Sequence, residues 1–208
     1  MIRDGTSNVV AVLVTMLVIS CDGPGKTDHP QQPPPTIRSK NAPYRIQLPE
    51  PWRRLAPEEV NERADVAATV RGDLFLIVIP QKLPTAKGVR SIGAETLKRA
   101  GIRQMDERVR AFELEHEGPV QLDGRPGLSV FAEGQIGGEP IQFAATYVAN
   151  DGWGYQIIAW GPGRDESALA KHVQPVLDTW QFRESVGPTT ARSADAGAGD
   201  TAGEQTDR

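Results

Sequence analysis

The sequence Leu74-Phe75-Leu76-Ile77-Val78-Ile79 is a run of consecutive apolar side chains that Pro80 is expected to end. A strand with one face in water alternates apolar and polar residues, so an unbroken apolar run predicts a strand that is covered on both faces. Arg71-Gly72-Asp73 supplies turn chemistry just before it, and a preceding alternation places a partner strand at 66–70. The sequence therefore predicts a hairpin inside a sheet that carries a layer on each side.

Two amphipathic segments are the candidates for these layers. Ser91 is a plausible N-cap for a helix whose apolar stripe includes Leu97, and Gly101 is its predicted end. Asp165 is a second N-cap candidate, and Pro175 is expected to end or kink the helix that follows it. The apolar face of that second helix comprises Leu169, Val173, Val176 and Leu177.

Between the two helices, turn residues divide the chain into four predicted strands. Asp123-Gly124 and Gly137-Gly138 are residue types that tight hairpins require, and Asn150-Asp151-Gly152 suits a slightly longer loop. A strand at 44–48 precedes this region and a strand at 179–183 follows it. The meander strands are predicted at 109–122, 127–135, 141–149 and 154–160. The order is hairpin, helix, antiparallel meander, helix and strand.

This order, together with two aromatic motifs, resembles the PsbP-like family, which includes the PsbP photosystem subunits and DcrB-type bacterial lipoproteins. The motifs are Ile46-Gln47-Leu48-Pro49-Glu50-Pro51-Trp52 at the start and Trp180-Gln181-Phe182 at the end, and the resemblance spans residues 43–183. It implies an α+β fold, an α/β/α sandwich around a mainly antiparallel sheet. It also implies an accessory or partner-binding role without a catalytic motif.

The N-terminus resembles an export signal. The apolar run 9–19 has 11 residues, whereas a membrane-spanning helix needs about 20, so residues 1–20 are predicted to be a signal peptide. Val18-Ile19-Ser20-Cys21 resembles the bacterial lipobox, which makes Cys21 the predicted lipidation site. The alternative is an ordinary signal peptide with an incidental cysteine.

Segment 21–42 is rich in proline and charge and is predicted to tether the domain to a lipid anchor in a bacterial cell envelope. The sequence leaves open whether the inner or the outer membrane holds that anchor. Residues 184–208 contain almost no large apolar side chain and are predicted to be a disordered tail. The predicted domain is therefore 43–183.

The charge balance and the absence of catalytic motifs in the sequence reduce the number of functions to consider. The chain carries 23 basic and 27 acidic residues, a balance that argues against nucleic-acid binding. Its three histidines, His29, His116 and His172, show no zinc spacing, and no cofactor or metal is predicted. Ser129 lies in a predicted strand without the glycine pattern of a nucleophile elbow, so a structural role is predicted for it.

Two surfaces are candidates for binding. Glu113, Glu115 and Glu117 alternate along one strand and would share a face, where they could bind cations or basic partners. The alternative is a solvated strand face. Trp153 and Tyr155 could form an aromatic rim for a ligand or a protein. Core packing is the predicted role of Trp52, Trp160 and Trp180.

These observations together predict a membrane-anchored, exported lipoprotein with a non-enzymatic binding or accessory role and a protein partner. Two other functions stay open. A small-ligand carrier would need an enclosed apolar cavity. An exported enzyme would need a site assembled from residues that are scattered along the sequence.

Overall fold

The computed structural model describes residues 34–84, 92–163 and 165–184. The chain divides into two units, 1–33 and 34–208, and every described residue belongs to the second. The predicted signal peptide, Cys21, the first part of the tether, Ser91 and the tail from residue 185 onward lie outside the described residues.

Ten strands and three helices make up the described part of the chain. The strands are β1 (Thr36–Arg38), β2 (Tyr44–Gln47), β3 (Arg53–Leu55), β4 (Val66–Val70), β5 (Leu74–Lys82), β6 (Arg110–Leu122), β7 (Arg125–Ile136), β8 (Glu139–Asn150), β9 (Trp153–Pro162) and β10 (Gln181–Phe182). The helices are α1 (Pro57–Val60), α2 (Ala94–Asp106) and α3 (Glu166–Leu177). A large antiparallel sheet has the order β3-β4-β5-β9-β8-β7-β6, and a small one has the order β1-β2-β10.

Strand β5 lies inside the large sheet, between β4 and β9, as its apolar sequence predicts. Pro80 does not end the strand, however, because β5 continues to Lys82. Pairing with β4 stops at Val78, whereas pairing with β9 continues through Pro80 opposite Tyr155. Beyond Val78 the strand has one partner only, so a proline there loses no bond on the open side.

Tight turns connect the four meander strands. Asp123 and Gly124 have φ values of 48° and 71°, and Asp151 and Gly152 have 47° and 75°. Two consecutive positive φ values are typical of the type I′ turns that match the twist of a hairpin. Asn150 belongs to β8, so the β8–β9 connection has two residues rather than the longer loop that was predicted.

Helix α2 is longer than its sequence predicts. It starts at Ala94 after Gly93 and continues past Gly101, the predicted end, to Asp106. Gly101 is buried against the large sheet, and a Cβ at this position would lie 2.5 Å from Cε1 of Tyr147. This glycine therefore permits close packing between helix and sheet rather than ending the helix.

Helix α3 begins where its sequence predicts. The carboxylate of Asp165 accepts a hydrogen bond from the Ala168 backbone N–H at 2.7 Å, which makes Asp165 the N-cap. The helix includes Pro175 and ends two residues later at Leu177. Proline removes only one helical hydrogen bond here, and the buried residues Val173, Val176 and Leu177 hold the last turn against the sheet.

The two faces of the large sheet carry different layers. Helix α3 and the small sheet cover one face, where Tyr44 stacks on Trp180 with ring centroids 4.5 Å apart. Helix α2 covers the opposite face over β6 to β9 through Leu97 and Met105. The arrangement confirms the predicted α+β sandwich with a mainly antiparallel sheet.

Residues before position 43 also take part in the fold. Strand β1 lies within the segment predicted to be a tether, and it pairs with β2. Ile37 and Ala42 are buried in the same core as Tyr44. The sequence does not predict this strand, because three residues are too few to show an alternating apolar pattern and the segment around them is rich in proline.

Among the described residues, none of the helices is both long and apolar enough to span a membrane.

Candidate functional site

The three glutamates of β6 do not share one face. Glu113 lies opposite Glu133 and Glu117 lies opposite Val130, while the register shifts between Leu114 and His116. Directly opposed residues point to the same side of a sheet and neighbours alternate, so Glu113 and Glu117 face opposite sides. All three carboxylates are exposed, but the bulge prevents them from acting as one acidic surface. A bulge of this kind leaves no signature in an alternating sequence.

Glu117 instead forms an ion pair with helix α2. Its carboxylate lies 2.7 Å from Nζ of Lys98, and Glu95 lies 3.0 Å from the same nitrogen. Hydrogen bonds to Glu117 and Glu95 raise the pKa of Lys98. Glu117 thus helps to hold α2 on the sheet.

Trp153 and Tyr155 do not form the aromatic rim that the sequence predicts. Tyr155 is completely buried and contacts the rings of Tyr44, Trp180 and Phe182, so it is a core residue and not part of an exposed surface. Trp153 is half-buried and packs against the same core. The core roles predicted for Trp52 and Trp180 are confirmed, since both are buried.

A cleft beside α3 brings together two of the residues considered for catalysis. His116, Ser129 and Glu166 line this cleft, whose volume is about 190 Å³. Nδ1 of His116 lies 3.3 Å from a carboxylate oxygen of Glu166, and both side chains are more than half exposed. The Ser129 hydroxyl donates to the Gly118 carbonyl at 3.3 Å rather than to the imidazole. A nucleophile needs a base within hydrogen-bond reach, so this arrangement supports the structural role predicted for Ser129.

A second, larger depression lies on the opposite face of the sheet, between α1 and α2, with a volume of about 250 Å³. We call it the α1–α2 groove. Its floor is formed by β5, β8 and β9, and it opens where the four-residue helix α1 leaves the sheet uncovered. Its lining residues are Val60, Asn61, Arg63, Ile77, Ile79, Gly101, Gln104, Met105, Arg108, Val109, Ile136, Phe143, Gln156, Ile158 and Trp160.

The floor of the groove contains a buried polar side chain. Gln156 is 2% exposed, and no side-chain hydrogen bond within the described part of the chain involves its amide. It lies opposite Tyr147 on β8, whose buried hydroxyl has no hydrogen-bond partner among the described residues. Buried amides are ordinarily hydrogen-bonded, since burial without a partner costs free energy. The groove therefore offers an unused donor and acceptor at its floor.

The rim of the groove is positively charged. Arg63 and Arg108 are both exposed, and the ion pairs within the described ranges include neither of them. One guanidinium nitrogen of Arg63 donates to the Gln104 side chain at 3.3 Å, which joins α1 to α2 across the opening. Beside them, Trp160 stacks on Phe75 with ring centroids 5.5 Å apart.

Sequence reasoning did not find the groove. Its residues come from six elements, α1, α2, β5, β7, β8 and β9, and from the loops that follow α1 and α2, and only the topology brings them together. One signal was present: Gln156 interrupts a predicted central strand on the side that α2 covers. A polar residue at such a position indicates either a hydrogen-bond network or a site.

Within the described ranges, no group of three or more His, Cys, Asp or Glu side chains is arranged so that it could hold a metal ion.

Comparison with solved structures identifies the fold. Cyanobacterial PsbP from Synechocystis is 15% identical, with a TM-score of 0.53 over 71% of this chain and 91% of that protein. The fold is PsbP-like. LpqN from Mycobacterium tuberculosis, involved in cell envelope biogenesis, matches at 14% identity with a TM-score of 0.52, over 75% of this chain and 88% of LpqN.

The PsbP-like fold also occurs in the Ran-binding protein Mog1p from Saccharomyces cerevisiae. Mog1p is 10% identical to this chain, with a TM-score of 0.50 over 72% of this chain and 95% of Mog1p. No family model and no curated protein matches the sequence. The similarity therefore establishes the architecture and leaves the function to the residues of this chain.

Proposed function

We propose that this chain is an exported, lipid-anchored protein of the bacterial cell envelope whose PsbP-like domain is a non-enzymatic binding module. Its α1–α2 groove is the contact site for a protein partner. The observation that carries this proposal is the combination of an apolar floor with two exposed arginines that have no acidic partner among the described residues. Apolar pockets with a polar rim are typical of protein-binding sites.

The known proteins of the same fold support a binding role by analogy. Mog1p is a Ran-binding protein, and LpqN takes part in cell envelope biogenesis. Fold similarity at this level of identity is an analogy only. The local chemistry points the same way, because the α3 cleft holds an exposed histidine whose neighbouring serine is hydrogen-bonded to the backbone.

The anchor is proposed on the lipobox-like sequence Val18-Ile19-Ser20-Cys21. Acyl chains contribute about 0.8 kcal/mol per buried methylene, and stable anchoring takes more than one chain. A diacylated or triacylated Cys21 would meet that requirement. The domain would then meet its partner at a membrane surface.

In-cell crosslinking followed by mass spectrometry of the affinity-purified protein tests this function, with Cys21→Ala as the comparison. We expect one dominant partner that is recovered from the native chain and lost or strongly reduced when the anchor is removed. We also expect Cys21→Ala to move the chain out of the detergent-extracted membrane fraction. Unchanged mass and distribution would refute the anchor. Absence of any specific partner would refute the binding role and favour a carrier or an enzyme.

A further inference from the structure

The α1–α2 groove has the size of a pocket for one aromatic ring. Small-molecule sites typically measure about 300–1,000 Å³, whereas this groove measures about 250 Å³. An apolar cavity of about 150 Å³ accommodates benzene. The groove is therefore too small for a typical cofactor and large enough for an indole or a phenol.

The floor of the groove favours an aromatic side chain with a polar group. Gln156 is buried, lines the groove and keeps its amide free of hydrogen bonds to the described residues. A purely apolar ring would leave this amide without a partner, which costs about 1–3 kcal/mol. The indole N–H of a tryptophan or the hydroxyl of a tyrosine would satisfy it. Trp160 adds a ring face for an edge-to-face contact.

The rim favours negative charge next to that aromatic side chain. Arg63 and Arg108 both line the groove, one after α1 and one after α2, and neither is in an ion pair with a described carboxylate. Guanidinium groups form short, bidentate hydrogen bonds with carboxylates. Ile136, which is 47% exposed, adds apolar surface at the same rim.

We infer that the α1–α2 groove binds a partner segment that inserts one tryptophan or tyrosine and carries aspartate or glutamate beside it. This inference rests on the proposed function and specifies the chemistry of the partner. Aromatic anchors in desolvated pockets dominate the energy of many interfaces, and charged rims set their specificity.

Photo-crosslinking of the full anchored chain locates the contact. A photoreactive residue replaces Ile136 at the rim, or Leu114, which is 43% exposed and outside the lining of the groove. We expect the partner to crosslink from position 136 and not from 114, through a segment with an aromatic residue next to acidic ones. A partner captured from 136 through a basic segment would overturn the inference and leave the groove as the contact site. A partner captured only from 114 would overturn both the inference and the groove as the contact site, and would leave only the general binding role.

Defined peptides test the chemistry without the native partner. A fluorescent peptide with tryptophan between aspartates is titrated against the full chain in detergent and compared with an alanine version and a lysine version. We expect the alanine or lysine version to bind at least about ten-fold more weakly, a difference of about 1.4 kcal/mol. Equal binding of the three peptides, or no binding of the tryptophan peptide, would overturn the inference.

Substitutions in the groove separate binding from stability. We expect Arg63→Glu with Arg108→Glu to abolish binding of the acidic peptide, whereas Arg103→Glu, an exposed control on α2 outside the groove, leaves it unchanged. Gln156→Leu should weaken binding without lowering the thermal midpoint, because its amide has no partner to lose among the described residues. A Gln156→Leu variant that binds normally would overturn the role of the amide.

Discussion

The two faces of the large sheet differ in how completely they are covered. On the α3 face, Tyr44, Tyr155 and Trp180 pack ring against ring beneath the small sheet. On the α2 face, the one-turn helix α1 leaves an open groove beside α2. The comparison shows that the buried aromatic cluster lies on one side of the sheet and the α1–α2 groove on the other. Stability and binding should therefore respond to different substitutions.

The largest expected difference between the faces is in the loss of unfolding free energy when a tryptophan on each face is replaced by alanine. Trp180 is 2% exposed and contacts three aromatic rings, so Trp180→Ala should lower the free energy of unfolding by about 3–5 kcal/mol. Trp160 is only partly buried and stacks on Phe75 alone. Trp160→Ala should cost clearly less, because part of its surface already contacts water.

Urea unfolding of both variants against the unmodified chain provides the measurement. Equal losses would mean that the groove wall is as important for stability as the aromatic core, which would break the distinction between the faces. A loss confined to Trp180→Ala, together with weaker peptide binding by Trp160→Ala, would sharpen it.

The second prediction concerns a close approach between helix and sheet on the α2 face. Glycine to alanine in a helix interior ordinarily stabilises by about 1 kcal/mol. At Gly101 the new Cβ would lie 2.5 Å from Cε1 and 2.6 Å from the hydroxyl of Tyr147. Such overpacking typically costs about 1–3 kcal/mol, so Gly101→Ala should be destabilising overall.

A double-mutant cycle with Tyr147→Phe checks the cause. The hydroxyl accounts for only one of the close contacts, so Tyr147→Phe should rescue part of the loss and not all of it. A stabilised Gly101→Ala variant would show that α2 can move away from the sheet. The groove beside it would then be adaptable rather than fixed.

The sequence predicted the fold well because its strongest signals are local. The apolar run of β5, the paired turn residues of the meander and the Asp165 cap each specify local structure directly. The predicted ends of β5 at Pro80 and of α2 at Gly101 were both wrong for one reason. The effect of each residue depends on neighbours that are distant in sequence. Pro80 lies beyond the end of β4, and Gly101 lies on Tyr147.

The candidate site could be predicted far less well. The alternation of Glu113, Glu115 and Glu117 indicates one face only if the strand is regular, and the bulge between Leu114 and His116 removes that regularity. Tyr155 has the residue type of a binding rim, but its position opposite Val148 places it in the core. The groove depends on how six elements meet, which no local pattern encodes.

The smallest expected difference between the faces is in the change of stability when a buried tyrosine on each face is replaced by phenylalanine. The Tyr44 hydroxyl donates to Asp65 at 2.6 Å on the α3 face, whereas the Tyr147 hydroxyl on the α2 face has no partner in the part of the chain that the structure describes. Removal of one hydrogen bond costs about 1 kcal/mol, and removal of an unpaired buried hydroxyl costs almost nothing. Tyr44→Phe should therefore be mildly destabilising at neutral pH, and Tyr147→Phe should be neutral or slightly stabilising.

Measurements at high pH test the same two residues. Burial raises the pKa of both phenols, and the hydrogen bond to Asp65 raises the pKa of Tyr44 further. An unfolded tyrosine ionises near pH 10, so the contribution of each of these phenols to stability is constant below that pH and falls above it, by up to about 1.4 kcal/mol per pH unit. Either phenylalanine variant removes one such group and should show a shallower loss. Tyr147→Phe should consequently become more stable than the unmodified chain in alkaline thermal melts, whereas parallel pH profiles would mean that the groove admits water to the Tyr147 hydroxyl.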